Sequence, residues 1–135
     1  IVDNYATYKS ELDTTVLQNK DVIIDSPDID LMTANCNIWL EPSSVALEDF
    51  TTYEDQASFN INVCIIVKRD SSANLCQKVF NVKDTLYRMF RNNQSLGGIV
   101  DTISVNSYDY YPQLYDEMGI VGMDLSITVN YTLDL

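Results

Sequence analysis

Histidine is absent from the 135-residue sequence, which removes the commonest general base and the commonest metal ligand of proteins. The serine–histidine and cysteine–histidine pairs of nucleophilic catalysis are therefore excluded. The three cysteines, Cys36, Cys64 and Cys76, form no CxxC pair and no other zinc-binding spacing. We expect a non-enzymatic protein with no catalytic residue, no cofactor and no metal. We also expect reduced thiols in a protein made in the cytosol, with an intermolecular disulfide inside an assembly as the alternative.

Glycine loops that bind phosphate are missing too. The single glycine pair, Gly97-Gly98, follows a helical pattern and precedes a strand pattern. A Walker loop runs from strand to helix and continues with Lys and Ser or Thr, whereas Ile99 and Val100 follow here. We interpret Leu96, Gly97 and Gly98 as a helix-to-strand turn, in which glycine supplies a positive φ and Leu96 packs back onto the helix end.

Basic residues are missing from two long stretches. The sequence has 20 acidic and 8 basic residues, a net charge of −12. Residues 21–67 contain nine acids and no base, residues 92–135 contain six acids and no base, and six of the eight bases lie between 68 and 91. This charge repels DNA and anionic membranes. The acidic residues form either an ordinary solvated surface with one mixed helix, or a surface selected to face a partner or a channel.

Long apolar runs are also lacking. None approaches the roughly 18 residues of a membrane-spanning helix, and the first residues, IVDNYATYKSEL, are too polar for a signal peptide. The acidic cluster Asp25, Asp28 and Asp30 lacks the glycine and the closing glutamate of a calcium loop, so we expect solvated turn carboxylates. We expect no membrane partner and no specific nucleic-acid binding.

The sequence does contain clear helical and strand periods. Apolar residues recur at steps of three and four in two segments, and they alternate strictly in 59–67 and 123–133. We predict helices over 1–19, with Asp3 as N-cap, and from Leu75 to about Asn92, capped by Ser71 or Ser72. Strands are predicted from Val22 and over 31–40, 59–67, 99–107 and 123–134, with connections over 41–56 and 107–119.

This order predicts a single α+β domain over residues 1–135. We expect a mostly antiparallel sheet of four to five strands with two helices packed on one face, in the order α-β-β-β-α-β-β, ending in a long C-terminal β-hairpin.

Three groups of residues are candidates for contact with another subunit or a partner. Tyrosine is enriched at protein interfaces, with ordinary loop packing and a ligand site as the alternatives for the tyrosine group of 108–115. A base-rich helix would complement an acidic neighbour. The polar face of the last strand is a third surface open to a neighbour. These candidate residues are Tyr108, Tyr110, Tyr111 and Tyr115 in the acidic connection, Lys78, Arg88 and Arg91 on the second helix, and Asp124, Ser126 and Thr128 on the last strand.

The helix VKDTLYRMFRNNQ, the turn-and-strand segment SLGGIVDTISV and the polar connection into a terminal strand resemble the tail terminator and tail-completion (minor tail) proteins of long-tailed bacteriophages. The motif-like part of this similarity covers residues 82–105, and the order of elements extends it over the chain. The resemblance implies a structural virion protein that forms a hexameric ring on the tail tube, ends tube polymerisation and joins the tail to the head-neck connector.

The same resemblance implies the partners and the location. They would be further copies of this chain, the tail tube protein and a neck or head-completion protein, with DNA only passing through the ring. The protein would be assembled in the host cytoplasm and located in the tail or neck of the virion. The alternatives are a neck, head-completion or other ring-forming tail protein, and, more distantly, a small cytosolic adaptor that binds one partner through residues 108–115.

Overall fold

The computed structural model describes residues 1–9, 17–28, 32, 35–49, 54–68, 75–94, 98, 100–111 and 120–134. Within these ranges the predicted order α-β-β-β-α-β-β is confirmed, with a short 3₁₀ turn, Asn19–Asp21, before the first strand. The elements are helix α1 (Val2–Tyr8), strands β1 (Val22–Ile23), β2 (Cys36–Asp49) and β3 (Glu54–Lys68), helix α2 (Leu75–Asn92), and strands β4 (Thr102–Tyr111) and β5 (Ile120–Asp134).

The five strands form one mostly antiparallel sheet in the order β1-β2-β3-β5-β4. Only β1 and β2 are parallel; the other neighbouring pairs are antiparallel. Strand β5 pairs with β3 over the whole length of both, from Glu54 opposite Asp134 to Lys68 opposite Ile120. At about 3.4 Å per residue these strands are roughly 50 Å long. The predicted C-terminal hairpin is present as β4 and β5, and its long strand β5 lies inside the sheet between β3 and β4.

The main core lies between the two helices and one face of the sheet. Alternate residues of the central strands point to this face, among them Val63, Ile65 and Leu125, all fully buried. Helix α2 supplies the facing stripe, in which Val79, Val82 and Leu86 recur at steps of three and four, and α1 adds Tyr5 to the same cluster. Burial of each such side chain contributes about 1.5–3 kcal/mol. This core holds α2 across β3, β5 and β4.

A smaller apolar cluster lies on the opposite face, near β1. It consists of the buried residues Trp39, Cys64, Ile66 and Ile120, with Ile23 and Met32 packed against it. The buried amide of Asn37 donates to the backbone carbonyl of Asp21 at 3.3 Å, which fixes the 3₁₀ turn to β2.

The first helix is shorter than the sequence predicted. It ends at Tyr8, since Lys9 has extended backbone angles (φ −72°, ψ 148°), and Leu17 and Gln18 are not helical. Asp3 lies inside α1, and Ile1 occupies the N-cap position without a side-chain cap. The prediction of one helix over 1–19 with an Asp3 cap is therefore wrong at both ends. The ending has a tertiary cause, because α2 supplies a donor for the last carbonyl of α1.

Two predicted connections contain strand residues. Strand β2 continues to Asp49 and β3 begins at Glu54, so most of 41–56 is paired, and residues 107–111 belong to β4. The serine-rich sequence after Pro42 resembles a loop, and a register shift does occur between Pro42 and Ser44. Pairing along the sheet overrides this weak local preference. Strand β2 also begins later than the predicted residue 31, at Cys36.

The end of α2 at Asn92 confirms the prediction for the second helix. Gly98 has φ 92°, a left-handed conformation that favours glycine, and a Cβ added there would meet no atom within 4 Å. The positive φ alone therefore explains why glycine occupies position 98. Leu96, Gly97, Ser71 and Ser72 lie outside the described residues. In the described ranges, no helix is both long and apolar enough to cross a membrane.

Candidate protein-interaction surface at the edge of the sheet

Strand β4 forms one outer edge of the sheet. It pairs with β5 on one side, and no strand of the described ranges lies on its other side. Its side chains alternate, so Tyr108 and Tyr110, opposite Leu125 and Met123, lie on the helix face. Tyr111 lies on the opposite face. An outer strand offers unpaired backbone donors and acceptors to another chain.

A cleft of about 600 Å³ separates this edge from helix α2. Its α2 side is lined by Lys83, Asp84 and Tyr87, and its β4 side by residues 105–108. We call it the β4–α2 cleft. Tyr87 and Tyr108 remain 44% and 54% exposed, which makes them two of the few large apolar side chains of the described residues that solvent reaches. Exposed aromatic side chains beside an outer strand are typical of a protein-binding surface.

A cation and three aromatic rings hold the cleft in shape. The Lys83 ammonium lies 4.7 Å from the centroid of the Tyr108 ring and 5.3 Å from that of Phe80. Phe80 stacks on Tyr110 with 5.3 Å between ring centroids. The same ammonium lies 2.6 Å from a carboxylate oxygen of Asp84. Each cation–π contact contributes about 0.5–1 kcal/mol at a surface, so β4 and α2 fix each other's aromatic residues before any partner arrives.

Arg88, a predicted interface residue, is engaged inside the subunit. Its Nε and Nη2 both donate to the backbone carbonyl of Tyr8, at 3.0 and 2.9 Å. Asn93 adds a donor to the Tyr8 hydroxyl at 3.1 Å and another to the Met89 carbonyl at 2.9 Å. The guanidinium therefore caps α1.

The polar face of β5 carries a ladder of cross-strand hydrogen bonds. The Thr128 hydroxyl donates to Asn60 Oδ1 of β3 at 2.8 Å and accepts from Asn106 Nδ2 of β4 at 2.7 Å. Further along, Asn130 donates to the Thr102 hydroxyl at 3.1 Å. Asp124, Ser126 and Thr128, the predicted contact residues of this strand, are half-buried. This ladder ties β4 to the centre of the sheet.

Asp124 accepts hydrogen bonds from two side chains of neighbouring strands, Cys64 of β3 and Tyr111 of β4. Burial raises the pKa of the Cys64 thiol well above its usual range, and the charge of Asp124 raises it further. For Tyr111 the charge of Asp124 is the main cause of a raised pKa, followed by the hydrogen bond to the same carboxylate. The Cys64 thiol and the Tyr111 hydroxyl are therefore both held in the protonated form.

None of the three cysteines forms a disulfide. Cys36 and Cys64 are buried on opposite faces of the sheet, whereas Cys76 is exposed on α2. A disulfide between the two buried thiols would need to pass through the sheet.

The predicted interface residues therefore fall into separate places. Tyr108 and Tyr110 meet on the helix face, and Tyr111 meets Asp124 on the other face. Arg91 is exposed and Lys78 is half-buried on α2, outside the lining of the cleft. Tyr115 lies outside the described residues.

The α2 side of the cleft is absent from the residues predicted from the sequence. Lys83 and Tyr87 stand four residues apart, off the apolar stripe of the helix, a spacing that places both on one face. That spacing was a usable signal, but only the register of β4 shows which tyrosine lies opposite.

No group of three or more cysteine, aspartate or glutamate side chains in the described part of the chain is arranged to hold a metal ion. A comparison with models of known protein families gives no match, and no curated protein matches the sequence at a significant level.

Proposed function

We propose that this chain is a structural virion protein that forms a ring on the end of a phage tail tube. The ring ends tube polymerisation, joins the tail to the head-neck connector and leaves a channel for DNA. The observation that carries the proposal is the outer strand β4 beside the preformed β4–α2 cleft. A closed ring requires two different, complementary patches on each subunit, and this surface supplies one of them.

Two features of the sequence support the proposal that the chain is a virion protein. Residues 82–105 carry the resemblance to tail terminator and tail-completion proteins, and they include Lys83 and Tyr87 of the cleft. The net charge of −12 suits the wall of a channel that DNA crosses without being held, because like charges repel the passing polymer. The size of the ring, six copies, follows from the resemblance.

The exposed tyrosines favour a protein partner over a small ligand. The cleft is open, and its lining combines two aromatic rings with one ammonium and one carboxylate that already pair with each other. Aromatic side chains provide large contact areas at low entropic cost, and they often dominate the energetics of interfaces. A small anion or cation would have to displace an existing ion pair.

Tube growth in the presence of this chain tests the function. Tail tube protein of the same virion is polymerised with and without the chain, and tube lengths are measured in negative-stain images. We expect rings at one end of the tubes and an arrest of further growth. Tube lengths that stay unchanged with the chain in excess over tube ends contradict the proposal.

The images also separate the alternatives. Rings that ignore tube ends favour a neck or head-completion protein. A protein that stays monomeric and binds no tube favours the adaptor alternative, which would use the same cleft for a segment of one partner.

A further inference from the structure

The edge of the sheet opposite β4 presents an exposed aliphatic side chain. Ile24 follows directly after β1 and is 77% exposed, the largest exposed fraction among the large apolar side chains of the described residues. Within the described ranges no strand pairs with the outer side of β1. Covering such a side chain with another molecule removes apolar surface from water and is favourable.

The bend that carries Ile24 is anchored to the sheet. The Ser26 hydroxyl donates to Glu41 Oε1 of β2 at 3.0 Å, and the Ser26 backbone N–H donates to Asp25 Oδ1 at 2.7 Å. Ile24 therefore lies between a strand and a turn that are both fixed before any partner binds. Such preorganisation lowers the entropic cost of association.

The strand directions allow β1 of one copy to lie beside β4 of the next. Strand β1 is parallel to β2, and the three antiparallel pairings that follow make β4 antiparallel to β1. A rotation about an axis roughly parallel to the strands leaves every residue at its own level along the axis. Copies related in this way bring β4 and β1 together in antiparallel fashion.

Ile24 and the cleft lie at the same level of the sheet. One row of paired residues crosses all five strands: Ile23, Trp39, Cys64, Asp124 and Asp109. Ile24 follows Ile23, and Tyr108 precedes Asp109. Because β1 and β4 are antiparallel, Ile24 and Tyr108 both stand one residue from the row, on the same side of it.

Ile24 also shares a face of the sheet with the cleft. Val22 packs against the main core, and Ile23 packs against the smaller cluster on the other face. The same alternation returns Ile24 to the face that carries the helices. Tyr108 lies on this face, where Tyr87 of α2 forms the opposite wall of the β4–α2 cleft.

Charge favours this contact over the pairing of two clefts. Asp25 and Asp28 are exposed beside Ile24, in a segment, 21–67, that contains nine acids and no base. Six of the eight bases lie between 68 and 91, a range that includes the whole of α2. Ile24 thus lies on an acidic edge, and the cleft has one wall on a base-rich helix. Two clefts brought together would place two base-rich helices side by side.

We infer that Ile24 of one copy inserts between Tyr87 and Tyr108 in the β4–α2 cleft of the next copy, with β1 antiparallel to β4. The Ile24 edge and the cleft are different patches at opposite edges of one subunit, as the head-to-tail contacts of a closed ring require. This inference rests on the proposed function in one respect, namely that copies assemble into a ring.

Site-specific photo-cross-linking tests the inference. The photoreactive amino acid p-benzoylphenylalanine replaces Tyr108 in the full chain, and equal amounts of unlabelled and ¹⁵N-labelled protein are assembled and irradiated. Cleavage after lysine and glutamate releases Ile24 in the peptide 21–41, because Lys20 and Glu41 flank it. The control carries the same amino acid in place of Thr7, which is exposed on α1.

We expect the Tyr108 probe to cross-link to residues 22–26 of another copy, with about half of these products combining one light and one heavy chain, as random mixing of two copies requires. The Thr7 control should give no product with this segment. Mixed-isotope products on β4, on any other segment, or none at all overturn the inference.

Ile24→Ser measures what the side chain contributes. The substitution leaves the subunit fold intact because Ile24 is exposed, and loss of its burial should lower the association constant between copies at least about tenfold. Sedimentation velocity over a range of protein concentrations measures this constant, with Thr7→Ser as the control that should leave it unchanged. An association constant that Ile24→Ser does not change overturns the inference.

Negative-stain images of the cross-linked sample separate the two proposals. Rings whose cross-links lie outside 22–26 overturn the contact of Ile24 with the cleft and leave the ring intact. Single subunits without mixed-isotope products overturn both.

Discussion

Arg88 shows how one side chain sets the position of a helix. Its two donors reach the last carbonyl of α1, across 80 residues of sequence, and replace the one backbone hydrogen bond that a longer helix would have made to that carbonyl. The helical pattern of residues 1–19 contains no sign of this contact. The shortened helix is therefore a tertiary effect.

Removal of the Arg88 guanidinium should destabilise the fold. Arg88→Met keeps much of the apolar stem and removes both donors, so we expect the free energy of unfolding to fall by about 1.5–3 kcal/mol. The matched control is Arg91→Met, three residues further along α2, where the side chain is exposed and the change should stay within about 0.5 kcal/mol. Urea unfolding measures both. Equal losses in the two variants would contradict the capping role.

Cys64 gives the fold a dependence on alkaline pH. Its folded-state pKa is raised, so the stability that the protonated thiol contributes is complete below its ordinary value of 9.0 and declines as pH rises above that value. One thiol contributes a slope of at most about 1.4 kcal/mol per pH unit. We expect the free energy of unfolding to fall less steeply above pH 9 in Cys64→Ala than in the wild type.

Urea unfolding at a series of pH values measures this slope, with Cys76→Ala as the control because that thiol is exposed. The control should keep the wild-type slope. If Cys64→Ala keeps it too, the buried thiol is not the source of the pH dependence.

At the scale of the elements, α2 and β4 depend on each other for the shape of the cleft. Phe80 and Lys83 of α2 contact Tyr110 and Tyr108 of β4. Neither element presents this surface alone.

Lys83→Gln should weaken this contact. The substitution removes the ammonium from two aromatic rings, and we expect a loss of about 0.5–2 kcal/mol in the free energy of unfolding. Lys68→Gln changes the net charge equally at an exposed position outside the cleft and should cost less than about 0.5 kcal/mol. Urea unfolding at constant salt compares them. If the Lys68 variant is as unstable as the Lys83 variant, the loss of stability comes from the change in net charge alone.

Most of the fold could be predicted from hydrophobic periods, because alternate residues of β3 and β5 and the stripe of α2 all face one core. The outer half of β2 could not, since serines and Pro42 mask a strand that pairing with β3 stabilises. The candidate site was predicted in part. Tyr108 and Tyr110 were identified from composition, but their approach to Lys83 depends on the register of β4, which no local pattern specifies.

For the whole molecule, the net charge opposes self-association at long range. Two bodies of charge −12 whose centres lie roughly 30 Å apart repel in water by about 20 kcal/mol before screening. The Debye length falls from about 30 Å at 0.01 M salt to about 8 Å at 0.15 M, which removes almost all of this repulsion. A single ion pair between exposed side chains contributes only about 0–1 kcal/mol.

Assembly should therefore become stronger as salt rises from about 0.01 M to about 0.15 M. Salt removes more repulsion between the subunits than it removes attraction between surface ion pairs. Sedimentation velocity at constant protein concentration measures the assembled fraction. A smaller assembled fraction at the higher salt concentration would mean that attraction between unlike charges dominates the interface.

The central claim is that copies of this chain form a closed ring, and the mass of the purified wild-type protein in solution tests it most directly. Light scattering at physiological salt should give a single species of about 92 kDa, six times the subunit mass of 15.3 kDa, that does not grow with concentration. A mass that stays at one or two subunits as the protein is concentrated would contradict the ring.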